Sequence, residues 1–201
     1  MQIDIIKKPF NEDDSYLINL KSFSLSTKVE NPYLDLKRKK FADLDITKNG
    51  FEPFLEQRGS LRFFNSIDKL YGSIYTYSVQ ERNGLSYQEI INNVKKMLDK
   101  NPKTRRALVR VANSFVDYKK AEDSAFDVSC LSLIHYKERS ITLTFRSSDI
   151  EYELFNDIIT IYEFFILPVY GNKPIDIEIF GSTAQRVDYF DILIAKLQGL
   201  K

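Results

Sequence analysis

The apolar and polar positions of this chain change rhythm several times, and each change predicts an element. Ser15-Tyr16-Leu17-Ile18-Asn19-Leu20 is one of several short apolar pieces, broken by charge, in about the first fifty residues. From Ser86 to Lys100 the spacing is helical: Ile90, Ile91, Val94, Met97 and Leu98 fall on one stripe, and Ser86 with Glu89 makes a capping box. Asn101-Pro102 ends it. The run from Arg105 to Val111 then reads as a buried strand entered by two adjacent arginines, Arg105 and Arg106. Side chains alternate along a strand, so the pair cannot share one solvated surface, and one of them needs an unusual partner.

A polar loop covers Asp117 to Asp123. Val128 to Tyr136 and Ile141 to Arg146 predict a hairpin around Lys137-Glu138-Arg139-Ser140. A tight loop at Glu138-Arg139 sets Cys130 opposite Ser147 and leaves Arg146 beside them. Asp149 to Phe165 carries Ile158, Ile159, Tyr162 and Phe165 at helical spacing, which predicts a buried helix closed by Pro168. Ile175 to Phe180 alternates as a strand, and Asp188 to Leu200 is amphipathic at helical period. Strands and helices in this irregular order predict an α+β fold rather than regular βαβ alternation.

Composition narrows the chemistry. The chain has 201 residues, 43% of them apolar, enough for one good core, and no linker or repeat divides it, so residues 1–201 are expected to form a single domain. Lys+Arg at 29 against Asp+Glu at 28 gives a net charge of +1, which offers no general attraction for nucleic acid or an anionic membrane. No apolar stretch reaches the roughly 20 residues of a membrane span, and Met1-Gln2-Ile3-Asp4 does not open a signal peptide. A cytoplasmic protein is expected. A single cysteine and a single histidine leave no disulfide, no cysteine-rich zinc site and little scope for a zinc enzyme, so no metal is expected. Any catalysis must rest on the thiol, on carboxylates or on arginines. Singly, the candidates have ordinary explanations: a lone strand Cys is a small core residue, an Arg at a strand end is a surface ion pair, His135 sits near a turn, and Lys37 to Lys40 is a solvated face.

Their order says more. Asn101-Pro102-x-x-Arg105-Arg106, then Cys130, then Arg146-Ser147-x-Asp149 followed by Phe155-Asn156, resembles the thymidylate synthase superfamily, which includes the deoxycytidylate hydroxymethylases. Tyr71-Gly72-Ser73-Ile74-Tyr75 resembles the family's Tyr-Gly segment, with Tyr75 where a tryptophan commonly stands. The similarity runs from about Tyr71 to Leu193, leaving residues 1–70 as a divergent N-terminal part.

The resemblance implies a large, mostly antiparallel twisted sheet with helices on one face, the other face packing on a partner's sheet in a homodimer. It implies a pyrimidine C5-methyltransferase or C5-hydroxymethyltransferase in which the Cys130 thiolate adds to C6 and turns C5 into a nucleophile. Neighbouring guanidinium groups such as Arg146 would raise the thiolate fraction. The substrate is a pyrimidine nucleoside monophosphate. Its phosphate lies between Arg146 and Ser147 of one subunit and Arg105 and Arg106 of the other, whose planar forks suit phosphate. Asn156 is the base-binding position, and its amide suits uracil, whereas an Asp is common there for cytosine. Asp149 and Tyr75 fall at cofactor positions for 5,10-methylenetetrahydrofolate, Asp149 on the pterin. Glu56 matches the catalytic glutamate, with Glu52 as the alternative.

The departures are also specific. Ser129-Cys130-Leu131 replaces Pro-Cys-His, and the ribose-binding His-x-Tyr becomes Glu178-Ile179-Phe180, leaving Glu178 to accept a bond from a sugar hydroxyl. Ile150-Glu151-Tyr152-Glu153-Leu154 replaces residues that help seat folate, and the family's C-terminal closing tail is expected to be absent. Three readings follow: a divergent C5 transferase, a folate-independent biosynthetic enzyme using the same thiol addition, and a non-catalytic dimer binding a nucleotide or a protein through the same site.

Overall fold

The computed structural model describes residues 1–25, 84–111, 130–151 and 154–199. The Lys37 to Lys40 run, Glu52, Glu56, Tyr71 to Tyr75 and the loop from Asp117 to Asp123 lie outside the described residues. The architecture is mixed α+β, built on a six-stranded sheet in the order β1-β2-β7-β5-β4-β3. Its strands are β1 (Gln2–Lys7), β2 (Tyr16–Phe23), β3 (Leu108–Arg110), β4 (Leu131–Tyr136), β5 (Ser140–Phe145) and β7 (Ile175–Gly181). Neighbours run antiparallel except β5 and β7, which are parallel. A smaller parallel pair joins β6 (Ser148–Asp149) to β8 (Ala184–Gln185). The helices are α1 (Tyr87–Lys100), α2 (Leu154–Ile161), α3 (Leu167–Tyr170) and α4 (Phe190–Gln198). Among the described residues, no helix is long and apolar enough to cross a membrane.

Alternation turns one face of the sheet into the core. Tyr16, Ile18 and Leu20 of β2, Ile141, Leu143 and Phe145 of β5, and Ile175, Ile177 and Ile179 of β7 are all buried, joined by Ile90, Ile91 and Val94 of α1, Ile158 and Ile161 of α2, and Phe190 and Leu193 of α4. β2, from the N-terminal part outside the resemblance, is an interior strand hydrogen-bonded on both sides. The capping box of α1 forms as expected, with the Ser86 side chain and the Glu89 carboxylate each accepting from the other's backbone N–H.

Three expectations change. The two arginines precede their strand rather than enter it: Thr104 N–H donates to Asn101 O, Arg106 N–H to Thr104 Oγ1 and Leu108 N–H to Arg106 O. These turn bonds occupy groups a strand ladder would need, β3 starts only at Leu108, and Arg105 and Arg106 are both exposed. The predicted helix from Asp149 begins instead at Leu154, with Asp149 in β6.

Nor does Pro168 close that helix. The chain widens into a π turn over Tyr162–Ile166, where Leu167 N–H reaches Tyr162 O, and continues as α3 to Gly171 at φ 66. Proline has no N–H to return to Phe164 O. The Tyr87 hydroxyl of α1 donates to that carbonyl instead.

Candidate nucleotide site at the end of the hairpin

The hairpin turns through Glu138-Arg139 as its sequence predicts, with Lys137 N–H on Ser140 O at 2.9 Å and the Tyr170 hydroxyl donating to the carbonyls of Lys137 and Ser140. Four pairs then keep register, from Tyr136↔Ile141 to Leu133↔Thr144, before Leu131 pairs with Phe145. Ser132 is therefore an extra residue, a bulge that turns both Leu131 and Ile134 into the core. It also shifts the predicted pairing. Cys130 faces Arg146, whose N–H donates to Cys130 O at 2.9 Å, rather than Ser147. Ser147 still reaches the thiol: its Oγ donates to Cys130 Sγ at 3.7 Å. The half-buried thiol, this hydroxyl and the exposed Arg146 thus share one end of the hairpin.

Next to Ser147 in sequence, Ser148 turns into a buried polar contact with Tyr16. Ser148 and Asp157, at 2% and 6% exposure, are the buried polar side chains among the described residues. Ser148 Oγ accepts a 2.7 Å bond from the Tyr16 hydroxyl, which has no solvent exposure of its own. The Tyr16 phenol is pushed far up in pKa, chiefly by burial, against the Ser148 bond, with the nearby ionisable groups of Asp157 and Cys130 adding to the push. Gly181 makes room for the ring, since a Cβ there would stand 2.0 Å from Tyr16 Cε1. Alternation alone signals Ser148, because the residue after a Ser147 turned toward the thiol points to the opposite side.

Asp149 is held from within the chain. Its Oδ1 accepts from Glu151 N–H at 3.0 Å, and its Oδ2 lies 3.2 Å from Arg186 Nε, while Arg186 Nη1 is 2.8 Å from Glu151 Oε2. The pairing of β6 with β8 brings this about, because Asp149 lies opposite Gln185 and Arg186 follows. Arg186 adopts a left-handed backbone, φ 57 and ψ 50. No sequence pattern marked Arg186 as part of the site.

Two expected site residues, Arg105 and Arg106, stand apart from the thiol. Arg105 and Arg106 precede Ala107, whose carbonyl accepts from Tyr136 N–H at the far end of β4. Six residues of strand at about 3.3 Å each separate them from Cys130 by roughly 20 Å within one chain. Asn156 is placed in the first turn of α2. Tyr75 and Glu56 lie outside the described residues.

Glu178 lies on the sheet face away from the core, where Asn19, Glu178, Thr142 and His135 are successive register partners. Thr142 Oγ1 donates to Glu178 Oε2 at 2.9 Å. At the two ends of this row, Asn19 Oδ1 and His135 Nε2 are buried without a partner among the described residues. His135 is half-buried, and burial, then the Lys137 charge, lowers its pKa. Among the described residues, no group of three or more His, Cys, Asp or Glu side chains is arranged to hold a metal ion. No family model matches this chain, and no curated protein matches it either.

Proposed function

We propose that the protein is a homodimeric enzyme acting on the base of a pyrimidine nucleoside monophosphate through Cys130. One observation carries the reading: Ser147 Oγ stands 3.7 Å from the thiol while Arg146 N–H is bonded to the same residue's carbonyl. A hydroxyl donating to sulfur suits a sulfur nucleophile, and Arg146, on the same hairpin end, is the cation this reading assigns to the phosphate. Together these groups suit a nucleophile beside a phosphate.

In this reading the thiolate forms a bond to C6 of the base, and the ring electrons move toward C5 and O4. C5 then bonds to an electrophilic one-carbon unit, a base removes the C5 hydrogen as a proton, and the thiolate leaves. An aldehyde-level carbon gives a hydroxymethyl product with no change of redox state; a methyl product requires a hydride donor as well. Uracil is the favoured base, with Asn156 at its edge and Glu178 near the sugar.

The dimer belongs to the same reading. A single chain holds Arg146 and Ser147 at the thiol but keeps Arg105 and Arg106 roughly 20 Å along the sheet, so a second copy must supply the second pair of arginines.

The test is incubation of the full chain with 5-fluoro-dUMP, followed by fluorine NMR and intact-mass measurement, beside a Cys130→Ser variant. A new fluorine resonance from a saturated C5, absent in the variant, is expected. No adduct with either uracil or cytosine fluoronucleotides would leave a binding dimer as the better account.

A further inference from the structure

We propose that Arg186 takes, from within the chain, the place a pterin ring would occupy on Asp149, so that this site works on its nucleotide without tetrahydrofolate. The inference rests on the nucleotide reading above and narrows it to the folate-independent form. A pterin offers a carboxylate two adjacent N–H donors, a planar fork like that of a guanidinium. Here the fork is already present. Arg186 spans two carboxylates, Nε on Asp149 at 3.2 Å and Nη1 on Glu151 at 2.8 Å, and Glu151 N–H occupies the other Asp149 oxygen.

The arrangement is built into the fold. The β6–β8 pairing fixes Arg186 beside Asp149, and the Tyr189 N–H bond to Arg186 O fixes the turn that follows. The Asp149 and Glu151 side chains are only 20% and 16% exposed, so both are screened from water and need a cation close by. Arg186 also holds a left-handed backbone that a non-glycine residue rarely adopts, and such outliers persist where the surroundings over-determine them. A pterin could take this place on Asp149 only by displacing the Arg186 Nε from it. The residues present do not fit folate, and Arg186 is the specificity-determining residue.

Equilibrium dialysis of the full chain against 5,10-methylenetetrahydrofolate, with and without dUMP, tests this directly. For the wild type, no saturable binding is expected up to about 1 mM, the upper end of ordinary substrate constants, and the 5-fluoro-dUMP adduct should form equally with and without folate. Arg186→Ala is expected to gain measurable folate binding; Arg186→Lys, which keeps the charge without the fork, serves if the alanine variant does not fold. Saturable folate binding by the wild type, an adduct that forms only with folate, or a folded Arg186 variant as blind to folate as the wild type would each overturn the proposal. Absence of any nucleotide adduct would instead remove the nucleotide reading, while the dialysis would still decide whether Arg186 excludes folate.

Discussion

The hydrogen bond from Tyr16 to Ser148 is the buried tie that fixes the segment carrying Arg146, Ser147 and Asp149. Tyr16→Phe keeps the ring over Gly181 and removes only the hydroxyl, leaving Ser148 Oγ at 2% exposure without its donor. A lost bond of this kind, with one polar group stranded, costs about 1–2 kcal/mol. Ser148→Ala leaves a phenol proton buried at 0% exposure with no acceptor, at a cost of about 1–3 kcal/mol. The double variant strands neither group, so it should be no worse than the poorer single variant, giving a coupling energy of about 1 kcal/mol in a double-mutant cycle. For a chain of this length each kcal/mol moves Tm by about 2–4 °C. Urea unfolding followed by circular dichroism, with m unchanged across the four proteins, gives the free energies. Additivity within about 0.3 kcal/mol would refute the bond as a coupled pair.

The phenols of Tyr16, Tyr87, Tyr136 and Tyr170 are all raised in pKa, chiefly by burial, that of Tyr87 to about 12. The stability they contribute is full below the ordinary phenol value of about 10 and is lost as pH rises through the raised values. Phenolate absorbance should therefore appear together with loss of structure above about pH 10, and tyrosines titrating freely with the fold intact would contradict this. Ser86→Ala should cost about 1 kcal/mol by thermal melting. Ser86 holds the Glu89 carboxyl below its usual range, and that contribution, present above the ordinary value, is lost as pH falls through the depressed one, so the variant's deficit should shrink in acid. A deficit constant with pH would refute the reciprocal cap. Arg105→Ala and Arg106→Ala should each weaken nucleotide binding by about 1.5–3 kcal/mol in a calorimetric titration, and sedimentation should give a dimer at micromolar concentration. Unchanged affinity would remove the shared cradle.

Elements with strong local signals were legible in the sequence. The capping box and apolar stripe located α1, and alternation with a tight turn located the hairpin and β7. What escaped depended on single-residue irregularities and on contacts distant in sequence. Ser132 adds one residue to β4 and shifts Cys130 by one pair, and no propensity distinguishes a bulge from a regular strand there. Pro168 reads as a stop, yet Tyr87 of α1 accepts the role of donor to Phe164 O and lets the helix continue. At the site, Cys130, Arg146 and Ser147 could be placed together because one hairpin carries all three. Tyr16, Gly181 and Arg186 could not, since they come from β2, the end of β7 and the turn after β8, and only the tertiary pairing brings them to Ser148 and Asp149. The expectation that Arg105 or Arg106 enters a strand failed for a local reason, the turn bonds from Asn101 to Leu108.

The central claim, covalent addition of Cys130 to a pyrimidine ring, can be measured without assuming any donor. In deuterated buffer the thiolate adduct at C6 would let C5 take up a deuteron and release its proton before the thiolate departs, so proton NMR of dUMP should show the C5 hydrogen washing out. The account predicts enzyme-dependent exchange that disappears in Cys130→Ser and weakens in Arg146→Ala. Exchange no faster than in buffer alone, for dUMP, UMP and their cytosine counterparts, would contradict it.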